Sequence, residues 1–287
     1  MSWTNYHSHT FYCDGQNKAE DYIKEAINQD MPAYGYSSHA PVPFFCEWTI
    51  PEKRISAYIK DITEIKRKYI DKIQVYVGLE VDYIPNVTGP LNNRISALDL
   101  DYTIGSVHFV DSFDNGERWT IDYTFEHFVK GLRSIFKNNV KRAVQRYFSL
   151  TREMISTSKP HIIGHLDKIK MYNKQGNFFN ENERWYINEV EETLKLVKAQ
   201  NIIIEINTRG FYKNKGGLSP GSDHFERIKQ LDIPVTINSD SHKPSEITKG
   251  YKEAAELLKK AGIDELWILF DSNWKPFKYD IVKGISL

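Results

Sequence analysis

Hydrophobic positions along this chain follow two spacings that alternate from one end to the other. Apolar runs rich in β-branched and aromatic residues occur at 73–85, 201–207 and 233–238, a pattern typical of buried strands. Between these runs, apolar residues recur at every third or fourth position, as in 17–30 and 180–200, which predicts amphipathic helices. Strands and helices are therefore expected to alternate along the chain.

The pattern predicts about eight strands separated by helices. The strands are expected in 2–9, 33–40, 73–85, 100–110, 160–167, 201–210, 233–242 and 264–270. Helices are expected in 17–30, 51–70, about 124–158, 180–200, 221–232 and 243–262. Such alternation implies an α/β fold with a parallel sheet and right-handed crossovers. No low-complexity linker or internal repeat divides the chain, so one closed barrel over 1–287 is the economical prediction, although an open doubly wound sheet fits the same pattern.

Composition narrows the classes of partner. Lys plus Arg and Asp plus Glu each number 38, giving a formal net charge of zero, which argues against a nucleic-acid binder but not against a small anionic substrate. The polar N-terminus has no apolar core of a signal peptide, and no apolar run is long enough to cross a bilayer. Two cysteines make no disulfide framework, so we expect a cytoplasmic protein without a membrane partner.

The predicted strands share a polar ending made of residue types that bind metal ions. These endings are His7 and His9, His39, Glu80, His108, His165, and Asp240 with His242. In a parallel barrel all of these ends lie on one rim, and residues i and i+2 of a strand point the same way. A lone His-x-His is more often structural, but histidines gathered at strand ends favour a metal site for zinc, manganese or iron. His127, His161 and His224 fall elsewhere and are expected to be structural.

The same ordered set resembles the polymerase and histidinol phosphatase family, called PHP. The matching pieces are "HSH" at 7–9, "SSH" at 37–39, "GLEVDY" at 78–83, "GSVHF" at 105–109, "GHLD" at 164–167 and "NSDSH" at 238–242. They extend over nearly the whole predicted domain. The chain length and the "EINTRG" strand at 205–210 look most similar to the stand-alone histidinol-phosphate phosphatases of bacteria and yeast.

The resemblance implies a distorted, TIM-like (β/α)7 barrel that holds two to three divalent metal ions. Carried over by position, the first ion would be held by His7, His9, Glu80 and Asp240, the second by Glu80, His108 and His165, and the third by Asp14, His39 and His242. Many family members have a histidine where this chain has Asp14. A carboxylate is a harder ligand, so the third site is expected to be weaker or to prefer manganese, iron or magnesium over zinc.

The family also implies hydrolysis of L-histidinol phosphate to L-histidinol and phosphate, a step of histidine biosynthesis. Our hypothesis is a metal-bridging hydroxide as nucleophile, with Glu80, Asp240 and His242 as catalytic residues. The proton for the leaving group could come from His242 or from metal-bound water, and the sequence does not choose. Arg209 is expected to bind the phosphoryl group, against the alternative of an ordinary surface ion pair. Phe45 and Trp48 lie in a loop, 41–51, that either contacts substrate or simply covers the barrel.

Three other functions compete with this one. Another phosphoesterase of the same family could act on nucleotides or other phosphate esters. A non-catalytic metal-binding module would be indicated by an incomplete ligand set, whereas the set here looks complete. Metal amidohydrolases also begin with His-x-His, but they usually place a metal-bridging lysine where this chain has Glu80.

Overall fold

The computed structural model describes residues 2–213 and 215–287. Its strands are β1 (Thr4–Asn5), β2 (Ala33–Tyr36), β3 (Gln74–Asp82), β4 (Tyr102–Ser106), β5 (Phe109–Ser112), β6 (Arg118–Thr120), β7 (Ile162–Ile163), β8 (Ile203–Asn207), β9 (Val235–Asn238), β10 (Glu265–Phe270), β11 (Asn273–Asp280) and β12 (Gly284–Ile285). Its helices are α1 (Ala19–Asn28), α2 (Ile55–Lys68), α3 (Asn93–Ser96), α4 (Phe125–Ser134), α5 (Val140–Ser158), α6 (Arg184–Ala199), α7 (Arg209–Tyr212), α8 (Phe225–Gln230) and α9 (Tyr251–Lys260).

Seven parallel strands form the central sheet, in the order β1-β2-β3-β4-β7-β8-β9. The two outer strands meet where Ser8 and Ser241 form a parallel bridge, which nearly closes the sheet into a barrel. The predicted α/β fold, a distorted (β/α)7 barrel, is therefore confirmed. Among the described residues, no helix combines the length and apolar character needed to cross a bilayer.

The helices pack one apolar face against the barrel, as their spacing predicts. In α2, Tyr58, Ile62 and Ile65 are buried while the positions between them face solvent. The rim positions are fixed partly by Tyr102, whose hydroxyl donates to the carbonyl oxygens of Tyr6 (2.5 Å) and Tyr36 (3.0 Å). The Tyr102 ring leaves room only for glycine at position 78 of β3, because a Cβ there would lie 2.5 Å from the ring.

The single helix predicted over about 124–158 is wrong, because the structure has two helices there. Lys137 and Asn138, between α4 and α5, have φ angles of 53° and 61°. That left-handed conformation cannot continue a right-handed helix. Asn139 then caps α5 by accepting a hydrogen bond from the backbone N–H of Arg142 at 3.0 Å.

The eighth predicted strand exists but lies outside the barrel. It is β10, which pairs antiparallel with β11, and β11 pairs in turn with β12. The sequence reading also missed the antiparallel β5–β6 hairpin, which begins directly after His108. The β5–β6 hairpin is short and partly solvent-facing, and it lacks the apolar run that identified the barrel strands and β10.

Candidate metal centre

The predicted ligand residues converge at the carboxyl ends of the barrel strands. His7 and His9 follow β1, His39 follows β2, Glu80 lies in β3, His108 follows β4, His165 follows β7, and Asp240 and His242 follow β9. Asp14 lies in the turn between β1 and α1, where its side chain is 33% exposed. The other side chains are largely withdrawn from solvent, so the structure brings all nine predicted positions together.

The first group contains two histidines that face the same two carboxylates. His7 Nε2 lies 3.2 Å from Glu80 Oε2 and 3.9 Å from Asp240 Oδ1. His9 Nε2 lies 3.2 Å from Asp240 Oδ1 and 3.5 Å from Glu80 Oε2. Neither Nε2 atom has a hydrogen-bond partner among the described residues, although both are buried. Buried polar atoms are normally satisfied, so both imidazoles have an open ligand position.

The second group uses the other oxygen of Glu80. His165 Nε2 lies 2.9 Å and His108 Nε2 3.6 Å from Glu80 Oε1. The two Nε2 atoms are only 3.2 Å apart. One carboxylate thus lies between two pairs of histidines, with one oxygen turned to each, which is the arrangement expected of a residue that bridges two cations.

The third group surrounds Asp14. His242 Nε2 lies 2.9 Å from Asp14 Oδ2, and His39 Nε2 lies 3.9 Å from Asp14 Oδ1. His39 also turns Nδ1 toward Glu80 Oε2, at 2.9 Å but without the geometry of a hydrogen bond. The ligand atoms of His9, Asp14, His39 and His242 all lie within 4.8 Å of one another. His9 therefore lies close to ligands of both the first and the third group, and His39 lies close to both Glu80 and the third group. The family resemblance assigns each of these histidines to one group only.

Electrostatics and donor chemistry both suit divalent ions. Burial raises the pKa of Glu80, but His7, His39 and His108 outweigh burial and hold that pKa well below its usual value. The pKa of Asp240 is likewise lowered despite burial, through His7 and Arg209. The groups are thus anionic carboxylates beside imidazoles with unfilled nitrogen positions. Such mixed nitrogen and oxygen donors fit zinc, manganese or iron.

Two ligand positions have an unusual backbone conformation. His165 has a φ angle of 27° and Asp240 one of 50°, in the left-handed region that non-glycine residues rarely adopt. Each such residue costs about 1–3 kcal/mol and persists only where its surroundings hold it. His165 is held by a hydrogen bond from its N–H to Glu205 Oε2 at 2.9 Å, and the carbonyl of Asp240 accepts from Arg209 Nη1 at 2.7 Å.

A cavity of about 260 Å³ opens beside the three groups. Arg209 lines it, and besides the Asp240 carbonyl its Nη1 donates to His242 Nδ1 at 2.6 Å. Trp48 also lines it, with its ring centroid 4.6 Å from that of His39 and 5.5 Å from that of His108. Phe45 does not contribute to this lining and is 88% exposed on the outer side of the same loop.

The comparisons with known proteins agree with this geometry. The PHP domain family model matches residues 5–209. The chain belongs to the PHP domain family. This PHP protein is 28% identical over 277 residues to the "Probable histidinol-phosphatase" of Schizosaccharomyces pombe, covering 92% of this chain and 87% of the relative. It is 26% identical over 267 residues to the histidinol-phosphatase of Bacillus subtilis, covering 87% of this chain and 97% of the relative.

A solved structure supports the fold of this PHP protein. The histidinol phosphate phosphatase of Lactococcus lactis, crystallised with zinc, L-histidinol and phosphate, superposes with a TM-score of 0.69. The two proteins are 20% identical, and the match covers 96% of this chain and 99% of the other. At this identity the likeness establishes the shared barrel.

Several residues of the PHP protein's candidate site were not predicted from the sequence. Lys168 lines the cavity, with Nζ 3.4 Å from Asp122 Oδ2. Burial lowers its pKa, but Asp122 and Asp240 outweigh burial, so the pKa of Lys168 is raised and the ammonium stays charged. Lys215 also lines the cavity, and burial together with Arg209 and Lys168 lowers its pKa. Nothing in the hydrophobic pattern distinguishes these residues from surface lysines.

Two carboxylates that were not predicted from the sequence lie behind the proposed ligands. Glu205 is fully buried, and its Oε1 lies 2.6 Å from His7 Nδ1. Asp82 holds the same relation to His108, with Oδ1 3.0 Å from Nδ1. Glu205 could have been found from the sequence, because a carboxylate inside the apolar run "IIIEI" must have buried partners.

Proposed function

We propose that this chain is a metal-dependent phosphatase that hydrolyses L-histidinol phosphate to L-histidinol and phosphate. The observation that carries the proposal is Glu80, whose two oxygens face separate pairs of histidines beside a cavity lined by cations. The histidinol-phosphatases of Schizosaccharomyces pombe and Bacillus subtilis support it, since they align with most of the chain. We further propose one domain over 1–287 that works in the cytoplasm as a step of histidine biosynthesis.

The proposed metal ligands are the nine residues grouped above. His7, His9, Glu80 and Asp240 would hold one ion, Glu80, His108 and His165 a second, and Asp14, His39 and His242 a third. Zinc, manganese or iron bound there would lower the pKa of a coordinated water and neutralise charge on the phosphoryl oxygens. The exposure of Asp14 supports a third site that exchanges its ion more readily than the other two.

The chain's own cations would orient the phosphate. Arg209, Lys168 and Lys215 all line the cavity, where Arg209 acts to lower the pKa of both lysines and Lys168 acts to lower that of Lys215. Three neighbouring cations attract a phosphate dianion and align its ester bond with the ligand groups. Trp48 would form an apolar wall for the imidazole of the substrate, whereas Phe45 points away and is a weak candidate for contact.

The position of Arg209 constrains the role of His242. Because Arg209 donates to Nδ1, that nitrogen of His242 carries a lone pair, and any proton on the ring resides on Nε2. Nε2 faces Asp14 at 2.9 Å. His242 can therefore protonate the leaving alcohol only from Nε2, and only while that nitrogen is free of metal.

A substrate panel tests the proposed function. The purified protein, loaded with manganese or zinc, should release phosphate from L-histidinol phosphate much faster than from a nucleoside monophosphate, and should leave simple amides intact. Faster hydrolysis of the nucleotide would indicate another phosphoesterase of the family, and hydrolysis of the amides would indicate an amidohydrolase. Absence of phosphate release from every ester with either metal would refute the proposal.

The bridging role of Glu80 gives a second, independent test. Glu80→Ala should remove the negative charge shared by two histidine pairs, so metal content measured by elemental analysis and phosphatase activity should fall together. Glu189→Ala is a suitable control, because Glu189 pairs with Arg152 at 2.8 Å, between α5 and α6 and away from the rim. Full metal content and activity in Glu80→Ala would contradict the bridging role.

A further inference from the structure

We propose that Glu205 is a positioning residue that fixes ligands of two different metal sites at once. The inference rests on the proposed metal-dependent function, but concerns a carboxylate that would not itself touch an ion or the substrate. Glu205 lies on β8 and is completely buried, one layer behind the ligand groups. A buried charge of this kind is tolerated only where donors surround it.

Four donors from four barrel strand ends surround this carboxylate. Oε1 of Glu205 lies 2.6 Å from His7 Nδ1 and accepts from Asn238 Nδ2 at 3.1 Å. Oε2 accepts from the backbone N–H of His165 and from Asn207 Nδ2, each at 2.9 Å. Both oxygens thus act only as acceptors. An N–H donor in the place of either oxygen could not make the contacts of that oxygen.

The first consequence concerns the tautomer of His7. A carboxylate at 2.6 Å from Nδ1 requires a proton on Nδ1, so in the neutral ring the lone pair is on Nε2. Nε2 is the atom that faces Glu80 and Asp240, and it has no hydrogen-bond partner among the described residues. Glu205 therefore prepares His7 to act as a ligand in the first group.

The second consequence concerns the backbone of His165 in the second group. The φ angle of 27° is unfavourable for a histidine, and the hydrogen bond to Glu205 Oε2 holds the N–H in that conformation. This conformation directs the imidazole to Glu80, where Nε2 lies 2.9 Å from Oε1. Without the acceptor, His165 would be released to a more usual φ and its ring would move away from His108.

Asn207 extends the same network to a third ligand. Its Nδ2 donates to Glu205 Oε2 at 2.9 Å and lies 3.3 Å from Asp240 Oδ2. The amide is held by Glu205 and in turn orients Asp240, whose other oxygen faces His7 and His9. One carboxylate thus links His7, His165 and Asp240, and so couples the first and second groups.

Asp82 provides a natural comparison, because it supports a single ligand. Its Oδ1 accepts from the backbone N–H of His108 at 3.1 Å and lies 3.0 Å from Nδ1 of the same residue. Removing this carboxylate should weaken only the second site. Removing Glu205 should weaken the first and the second together.

The decisive variant is Glu205→Ala, which removes both acceptor oxygens. His7 and Asn238 on one side, and His165 and Asn207 on the other, then lose their acceptor together. Asp82→Ala is the one-site comparison, because it removes the acceptor of His108 alone. Glu189→Ala is the control for loss of a glutamate in a partly buried ion pair far from the rim.

Metal affinity, measured by competition with a chromophoric chelator and without substrate, is the readout. Loss of such supporting contacts typically weakens metal binding about 10–100-fold. We expect that loss for two zinc ions in Glu205→Ala, for one in Asp82→Ala and for none in Glu189→Ala, with circular dichroism unchanged. If Glu205→Ala does not fold, Glu205→Asp, which keeps the charge but shortens the reach of both oxygens, takes its place with the same expectation.

Two results would overturn the proposal. Wild-type affinity at every site in Glu205→Ala would show that the carboxylate only fills the barrel, and weakening of one site alone would disprove the coupling. Failure of the proposed function looks different, because it would show as a wild-type protein that binds zinc but releases no phosphate from L-histidinol phosphate.

Discussion

At the scale of single residues, Asp122 is the carboxylate of the cavity wall that remains available to a ligand. Its Oδ2 lies 3.4 Å from Lys168 Nζ and 3.8 Å from His108 Nε2. Asp167, the other carboxylate of the wall outside the ligand groups, is fully buried and accepts from Ser219, Gly221 and Lys170. A phosphate on Lys168 would free Asp122 for the ammonium group of L-histidinol phosphate.

This arrangement predicts the effect of Asp122→Asn. The variant should raise KM for L-histidinol phosphate about tenfold, since one hydrogen bond to a charged group contributes about 1.5 kcal/mol. KM for 3-(imidazol-4-yl)propyl phosphate, which lacks the amine, should hardly change. Steady-state kinetics with both esters check this, and equal losses would show that Asp122 supports the metal groups or Lys168 rather than the amine.

At the scale of elements, the β5–β6 hairpin carries Thr120, and after it Asp122 and Tyr123, to the cavity. Its anchor is Trp119, which is completely buried and packs against α4. Gly131 of α4 leaves the space that the indole occupies, because a Cβ there would lie 2.0 Å from Trp119 Nε1. The packing of one helix on one hairpin thus positions part of the cavity wall.

Gly131→Ala should therefore destabilise the protein despite the better helix propensity of alanine. Overpacking of this kind costs about 1–3 kcal/mol, and the hairpin should shift with Trp119. Denaturant unfolding measures the free-energy change, and Ser134→Ala, on the exposed side of α4, is the control with an expected change within about 0.5 kcal/mol. A Gly131→Ala protein of wild-type stability would mean that α4 and the hairpin separate easily.

The elements also show what the sequence could and could not predict. Barrel strands and amphipathic helices were predictable because their apolar spacing reports burial directly. The break between α4 and α5 was not, since Lys137 and Asn138 adopt positive φ without a glycine or proline to signal it. The β5–β6 hairpin did carry a local signal, because the turn dipeptide Asn115–Gly116 separates its strands and Gly116 has a φ of 84°. It was missed because strands this short show no clear alternation of apolar and polar residues.

At the scale of the whole molecule, the convergence of the proposed ligands was predictable because parallel strands place their carboxyl ends on one rim. Topology alone then brings residue 7 next to residue 242. The residues behind and beside the ligands were not predictable in this way. Lys168 and Lys215 depend on the loop paths of the folded barrel, which no local spacing reports. Glu205 is marked by its place in the apolar run "IIIEI", but its partners are not.

The first and third proposed metal sites lie across the seam where the barrel closes. His7 and His9 follow β1, Asp240 and His242 follow β9, and the two segments are joined by His9 N–H to Ser241 O at 2.8 Å and Ser241 N–H to His7 O at 3.1 Å. By contrast, β3 and β4 pair over five residue pairs, from Gly78 with Tyr102 to Asp82 with Ser106. Ions bound at the seam would therefore hold together the least paired junction of the sheet.

Removal of metal should consequently loosen one part of the barrel more than the rest. An ion present at 100 times its Kd stabilises the folded state by about 2.7 kcal/mol, so a chelator should lower Tm by several degrees. Hydrogen exchange should accelerate most at the amides of His9 and Ser241, because the seam has few backbone hydrogen bonds of its own. It should accelerate least in β3 and β4, which five residue pairs hold together without the ions. Readdition of zinc or manganese should restore both measurements. A uniform increase in exchange across the barrel, or an unchanged Tm, would contradict this role of the ions at the seam.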